Sequence, residues 1–94
     1  MDIYENKIAL VTGASTGIGR AMAIDLAALG AELILTARSK EQLDALAQEI
    51  QGKGGKANVF VEDLAQPGSG ERLHQQVLAA GLHVDLLINN AGYG

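Results

Sequence analysis

A chain of 94 residues is enough for one small domain or part of one, and 48% hydrophobic against 19% charged residues supplies a packed core and excludes intrinsic disorder. The absence of cysteine excludes a disulfide framework, a thiolate zinc site and a cysteine nucleophile, and suits a reducing compartment. Seven Lys+Arg against eleven Asp+Glu give a net charge of −4, which argues against sequence-independent nucleic-acid binding and points to a small-molecule partner.

Lys7-Ile8-Ala9-Leu10-Val11-Thr12 is an apolar run followed by Gly13, the pattern of a strand buried on both faces of a parallel sheet. From Ile18 the period becomes helical, with Ile18, Met22, Leu26 and Leu29 predicted on one inner face and Ile24 off it. Gly30 stands where a helix C-terminus takes a left-handed residue. Leu33 to Ala37 reads as a second buried strand. Ser39 and Gln42 have capping-box spacing, and Leu43, Leu46, Ala47 and Ile50 form the stripe of a second helix that stops at Gly52-Lys53-Gly54-Gly55.

Ala57 to Val61 is the third predicted strand, ending at Glu62-Asp63-Leu64. Pro67, Gly68, Ser69 and Gly70 then break the chain before a third helix, with Ser69 its expected N-cap, Leu73, Val77 and Ala80 its inner face and Gly81 its end. Val84 to Ile88 is the fourth strand, running into Asn89-Asn90-Ala91-Gly92. Strict alternation of strands and helices predicts an α/β fold, with a parallel sheet joined by right-handed crossovers. There is no internal repeat, low-complexity tract or linker, so residues 1–94 read as a single unit. No apolar run approaches the ~18 residues of a membrane span. The start Met1-Asp2-Ile3-Tyr4-Glu5 lacks the layout of a signal peptide, and a cytoplasmic protein without membrane partners is expected.

Chemistry concentrates where strands hand over to helices, and several of the twelve glycines stand there. Thr12-Gly13-Ala14-Ser15-Thr16-Gly17-Ile18-Gly19 carries a GxxxGxG spacing rather than GxGxxG. One glycine permits the sharp turn, another lets backbone approach a pyrophosphate, and a third lets the helix sit close to the strand. The helix N-terminus offers free N–H groups and a partial positive charge to phosphates. Glycine turns of this kind also occur in α/β proteins that bind nothing, and the placement between an apolar strand and a helix favours the binding role.

Together with Asn89-Asn90-Ala91-Gly92 after the fourth strand and Asp63-Leu64 after the third, this loop resembles the classical short-chain dehydrogenase/reductase family, over the N-terminal, cofactor-binding part of its fold. The resemblance implies a Rossmann-like doubly wound sheet of four strands in the order 3-2-1-4 with three crossover helices. It implies a nicotinamide dinucleotide held by Gly13, Ser15, Thr16, Gly17, Ile18 and Gly19. It further implies that Asp63 accepts from the adenine amino group beside the Leu64 backbone, while Asn89, Asn90, Ala91 and Gly92 run along the adenosine ribose. Plain alternatives are a turn role for Asp63 and local backbone bonding for the two asparagines.

An acidic residue ~20 positions beyond the glycine loop selects NAD by bonding the ribose hydroxyls. Ala37 stands at that place and Arg38 follows, a guanidinium able to fork onto a 2′-phosphate, so NADP(H) is expected over NAD(H). Ser39 can add a hydroxyl, although capping alone explains it, and Arg38 also fits a plain solvated arginine. His74 and His83 have no metal-ligand partners and read as surface residues, and Asp44 and Glu49 as the solvent face of the second helix.

Catalysis in the family implies a tyrosine with a lysine four residues later and a substrate-positioning serine. Tyr4 is followed by Ile8, Tyr93 is penultimate, and Ser15, Ser39 and Ser69 lie in the cofactor half, so no catalytic residue is assigned. The expectation is therefore the NADP(H)-binding part of an oxidoreductase acting on a carbonyl or alcohol, truncated after the fourth strand. The alternatives are a non-catalytic nucleotide-binding or interaction module and an inactive fragment. In the order 3-2-1-4 the fourth strand is an edge, and Leu86-Leu87-Ile88 is expected to favour homo-oligomers.

Overall fold

The computed structural model describes residues 3–15 and 17–90. Seven elements alternate along the chain: β1 (Ile8–Thr12), α1 (Gly17–Ala28), β2 (Glu32–Ala37), α2 (Lys40–Gly52), β3 (Lys56–Val61), α3 (Ser69–Ala79) and β4 (Leu86–Asn89). All strand pairs are parallel, as the alternation predicts, and the sheet order is β3-β2-β1-β4, as the resemblance implies. Register places Leu10 between Ile34 and Leu87, and Thr12 between Thr36 and Asn89.

Side chains alternate across a strand, so the two faces of the sheet carry separate cores. On one face Ala9, Val11, Leu33 and Leu35 pack with Ala23 and Leu26 of α1 and with Leu43, Leu46, Ala47 and Ile50 of α2. On the other, Ile34 meets Leu73 and Val77 of α3, flanked by Ile8, Leu10, Phe60, Leu64, Leu82 and Val84. The unbroken apolar run of β2 follows from this two-sided burial: Leu33, Ile34 and Leu35 are fully enclosed.

The amphipathic stripe of α2 is buried as predicted, and Ser39 caps the helix by accepting from Gln42 N at 3.3 Å. The predicted inner face of α1 is buried at Leu26, half-buried at Met22 and Leu29, and overturned at Ile18. Ile18 is 71% exposed, and Gly19, Ala23 and Leu26 are buried, with Ile24 packed at their flank. A Cβ on Gly19 would overlap the Gly13 carbonyl oxygen. That close approach turns Gly19 and Ala23, together with Leu26, toward the sheet and leaves Ile18 outside.

α3 departs in two places. Its N-cap is Gly68, at φ +78°, and Ser69 is the first helical residue and buried. The reversal after Pro67 needs a left-handed residue, which glycine adopts without penalty. Ala80 is the exposed C-cap, so the inner face comprises Ser69, Leu73 and Val77. At the β4 edge only Leu87 of the predicted apolar trio is exposed, because Leu86 and Ile88 pack against the α1–α2 core.

Candidate functional site

β1 and β4 end side by side at Thr12 and Asn89. From β1 the chain steps outward to β2 and β3, then returns to β4 on the other flank of β1. The crevice beyond the carboxyl ends of two strands that diverge in this way is where open α/β sheets bind ligands.

Thr12 organises that point. Its hydroxyl accepts from Asn90 N at 2.8 Å and donates to Asn89 Oδ1 at 3.1 Å, with Ile88 O a longer alternative at 3.4 Å. Asn90 in turn directs Nδ2 toward Gly13 O at 3.4 Å. The asparagine pair thus performs the local backbone bonding that asparagine does well, and in doing so ties the end of β4 to the glycine turn. Ala14 N donates to Thr36 O at 3.2 Å, which fastens the same turn to β2, and the Thr36 hydroxyl donates to Phe60 O of β3 at 2.6 Å.

Gly13 and Gly17 have φ of +63° and +60°, so both turn positions use backbone that side-chain-bearing residues avoid. The two later glycines of the loop have opposite surroundings. A Cβ on Gly19 would overlap Gly13 O and lie 2.8 Å from Asn90 Nδ2, whereas a Cβ on Gly17 would meet nothing within 4 Å. Gly19 therefore serves helix–strand packing, and Gly17 lines open space. Ile18, between them, projects into solvent, and Ser15 is half-buried.

The other predicted residues lie along the same edge of the sheet. Arg38 and Ser39 follow β2, and Asp63 and Leu64 follow β3. Arg38 is exposed and, among the described residues, makes no ion pair, whereas Arg20, Lys40 and Arg72 pair with Glu49, Asp44 and Glu62. Asp63 adopts the turn role: Oδ1 accepts from Ala65 N at 3.0 Å and its carbonyl accepts from Gln66 N at 2.9 Å. Leu64 is anchored by the α3-side core. Thr16, Ala91 and Gly92 lie outside the described residues.

Two polar residues that the sequence reading left without a role hold this architecture. The Thr12 hydroxyl is one; a polar residue closing an apolar strand was its only local signal. Asp85 is the other: Oδ2 accepts from Ile8 N at 2.9 Å while Asp85 N donates to Ile8 O at 2.8 Å, clamping β4 to the start of β1. Glu49, expected on the solvent face of α2, instead reaches Arg20 of α1 at 2.9 Å. His74 and His83 are exposed, as predicted. No group of three or more potential metal ligands occurs among the described residues, and no helix among them is long and apolar enough to cross a membrane.

A depression of about 580 Å³ opens at the opposite, amino end of the strands, with Glu5, Lys7, Glu32, Lys53 and Lys56 on its walls. Its mixed charges and its distance in the fold from the glycine turn separate it from the candidate site.

Residues 7–94 match the short chain dehydrogenase family. The chain is 46% identical over 88 residues to a fatty acyl-CoA reductase of Acinetobacter baylyi, an alignment covering 94% of this chain and 30% of that protein. It is also 46% identical over 91 residues to the 3-oxoacyl-(acyl-carrier-protein) reductase of Escherichia coli, covering 95% and 35%. Among solved structures, a metagenomic short-chain oxidoreductase in complex with NADP superposes with a TM-score of 0.88 at 44% identity, over 96% of this chain and 41% of that one. L-sorbose reductase from Gluconobacter frateurii, complexed with NADPH and L-sorbose, gives 0.90 at 34% identity, over 100% and 36%. The chain spans about a third of the length of these curated relatives. With the sequence matched from residue 7 onward and the sheet order in place, the chain belongs to the short chain dehydrogenase family.

Proposed function

We propose that this chain binds NADP(H) as the cofactor-binding part of an oxidoreductase that interconverts a carbonyl and an alcohol. The observation that carries the reading is the open space beside Gly17, a left-handed glycine at the start of α1 with no heavy atom within 4 Å of a would-be Cβ. A pyrophosphate fits there because backbone N–H groups and the positive end of the helix are accessible without a side chain in the way. Structures of relatives that hold NADP or NADPH support the choice of cofactor.

In this reading Gly13 and Gly19 hold the turn and the helix close together, and the N–H groups beyond Gly17 bind phosphate. Ile18 presents an apolar side chain at the entrance, where it shields the bound dinucleotide from water. Arg38 receives the 2′-phosphate, since no carboxylate among the described residues occupies its guanidinium. Ser39 keeps its capping bond and adds a hydroxyl at the same place. Asp63 retains Oδ2 as an acceptor for the adenine amino group, because its Asx turn uses Oδ1. Thr12, Asn89 and Asn90 set the floor.

The nicotinamide, when bound, supplies or takes the hydride. The 94 residues include no Tyr-x-x-x-Lys, and none of them is assigned the proton step. The second reading is a nucleotide-binding module without turnover. Fluorescence titration with NADPH and NADH tests the binding reading: tighter NADPH binding supports it, and no binding of either refutes it. Carbonyl reduction by the protein of the relatives' length separates the enzyme from the module.

A further inference from the structure

We infer that Asp44 tunes how strongly this chain prefers NADP(H) to NAD(H), by holding Lys40 away from a 2′-phosphate beside Arg38; the inference rests on the cofactor reading above. Arg38, Ser39 and Lys40 are consecutive at the passage from β2 to α2. Cα atoms two positions apart are separated by roughly 7 Å at most, and a lysine stem covers that distance. A phosphate gripped by Arg38 therefore lies within reach of Lys40.

Lys40 is instead engaged along the helix, with Nζ 2.6 Å from Asp44 Oδ2. The lysine side chain is 73% exposed and the aspartate 42%, and exposed pairs of this kind are weak. Their order also works against them, since an i,i+4 pair is better with the acid on the N-terminal side. Lys40 further occupies the first turn of α2, where the helix dipole disfavours a cation. A phosphate dianion draws such an ammonium away from one carboxylate. Asp44 also holds Lys40 above its ordinary lysine range, chiefly through their hydrogen bond.

The neighbouring charges show why one carboxylate matters. Arg38 and Lys40 are offset by Glu41 and Asp44 within the same stretch, and the next acids in the adjoining β3–α3 connection are Glu62 and Asp63. Glu62 is held by Arg72 Nε at 3.3 Å and Gln76 Nε2 at 2.9 Å, and Asp63 is held in its turn. Asp44 is thus the acid that contacts a cation of the 38–40 segment directly, and its removal leaves that stretch net positive.

The test titrates the wild-type chain, Asp44→Asn, Lys40→Gln, the double variant and Arg38→Ala with NADPH and NADH at low and high salt, with urea unfolding to verify each fold. Asp44→Asn is expected to tighten NADPH alone by about two- to fivefold at low salt. Lys40→Gln weakens NADPH alone and abolishes the effect of Asp44→Asn in the double variant. The differences shrink at high salt. An unchanged NADPH:NADH ratio in Asp44→Asn and Lys40→Gln, with Arg38→Ala still collapsing it, overturns the inference and leaves the cofactor reading standing. A ratio indifferent to Arg38→Ala as well, or no NADPH binding by the wild-type chain, overturns both.

Discussion

The carbonyl oxygen of Gly13 occupies the space that any side chain at Gly19 would need, and Asn90 Nδ2 closes the same space from the β4 side. Backbone, unlike the end of a flexible side chain, does not move aside cheaply. Gly19→Ala is therefore expected to cost about 1–3 kcal/mol by overpacking and to weaken NADPH binding with it. Gly17→Ala meets no atoms but carries a left-handed φ, so it should cost about 1–2 kcal/mol of backbone strain. Urea unfolding and NADPH titration of both variants check this. Undiminished NADPH affinity in Gly17→Ala would remove the proposed phosphate cradle.

Arg38→Asp replaces an exposed cation, without an ion pair among the described residues, with a carboxylate at the end of β2. Stability should change by no more than about 0.5 kcal/mol, as for other surface positions. The NADPH:NADH affinity ratio should fall by roughly 10- to 100-fold, the scale of a charge-assisted bond lost and a repulsion gained. Paired dissociation constants measure it, and an unaltered ratio would place the 2′-phosphate elsewhere.

Thr12→Val keeps the shape of the buried strand end and removes the hydroxyl that accepts from Asn90 N. The expected loss is about 1–3 kcal/mol, because a donor in a largely enclosed place is left without its acceptor. Thr12→Ser should restore most of it. The serine variant distinguishes loss of the hydroxyl from loss of packing: equal destabilisation by both would assign the effect to the methyl group.

Leu87 is 57% exposed on the outer strand of the sheet. An edge with an apolar residue and unpaired backbone groups favours self-association, so the isolated chain should sediment with a concentration-dependent mass. Leu87→Lys should shift it toward monomer with little loss of stability. A cooperative unfolding transition of a monomeric wild-type chain without cofactor would contradict this expectation.

Much of the fold was legible because it depends on local patterns. α2 announces itself through Leu43, Leu46, Ala47 and Ile50 set among polar residues, and all four are buried. α1 offers no such contrast. Its apolar residues, Ile18, Met22, Ile24, Leu26 and several alanines, are spread round the helix, so periodicity alone did not reveal which side faces the sheet. Gly19 decided it, through a contact with Gly13 and Asn90 that no window along the chain contains. At α3 the preference of serine for caps pointed to Ser69, and the left-handed turn at Gly68 prevailed over it.

The site divides in the same way. The glycine spacing, Arg38 at the end of a strand, and the run from Asn89 are facts of order and residue type, and these carried the family and the proposed kind of ligand from the chain alone. Which groups are already engaged belongs to the tertiary structure: Thr12 with Asn90, Asp85 with Ile8, Glu49 with Arg20 and Lys40 with Asp44. The first two join residues 78 and 77 positions apart, because parallel pairing sets β4 beside β1 only after three crossovers have been made. A hydrogen bond acts over about 3 Å, so its partners are chosen by that assembled geometry rather than by proximity along the chain.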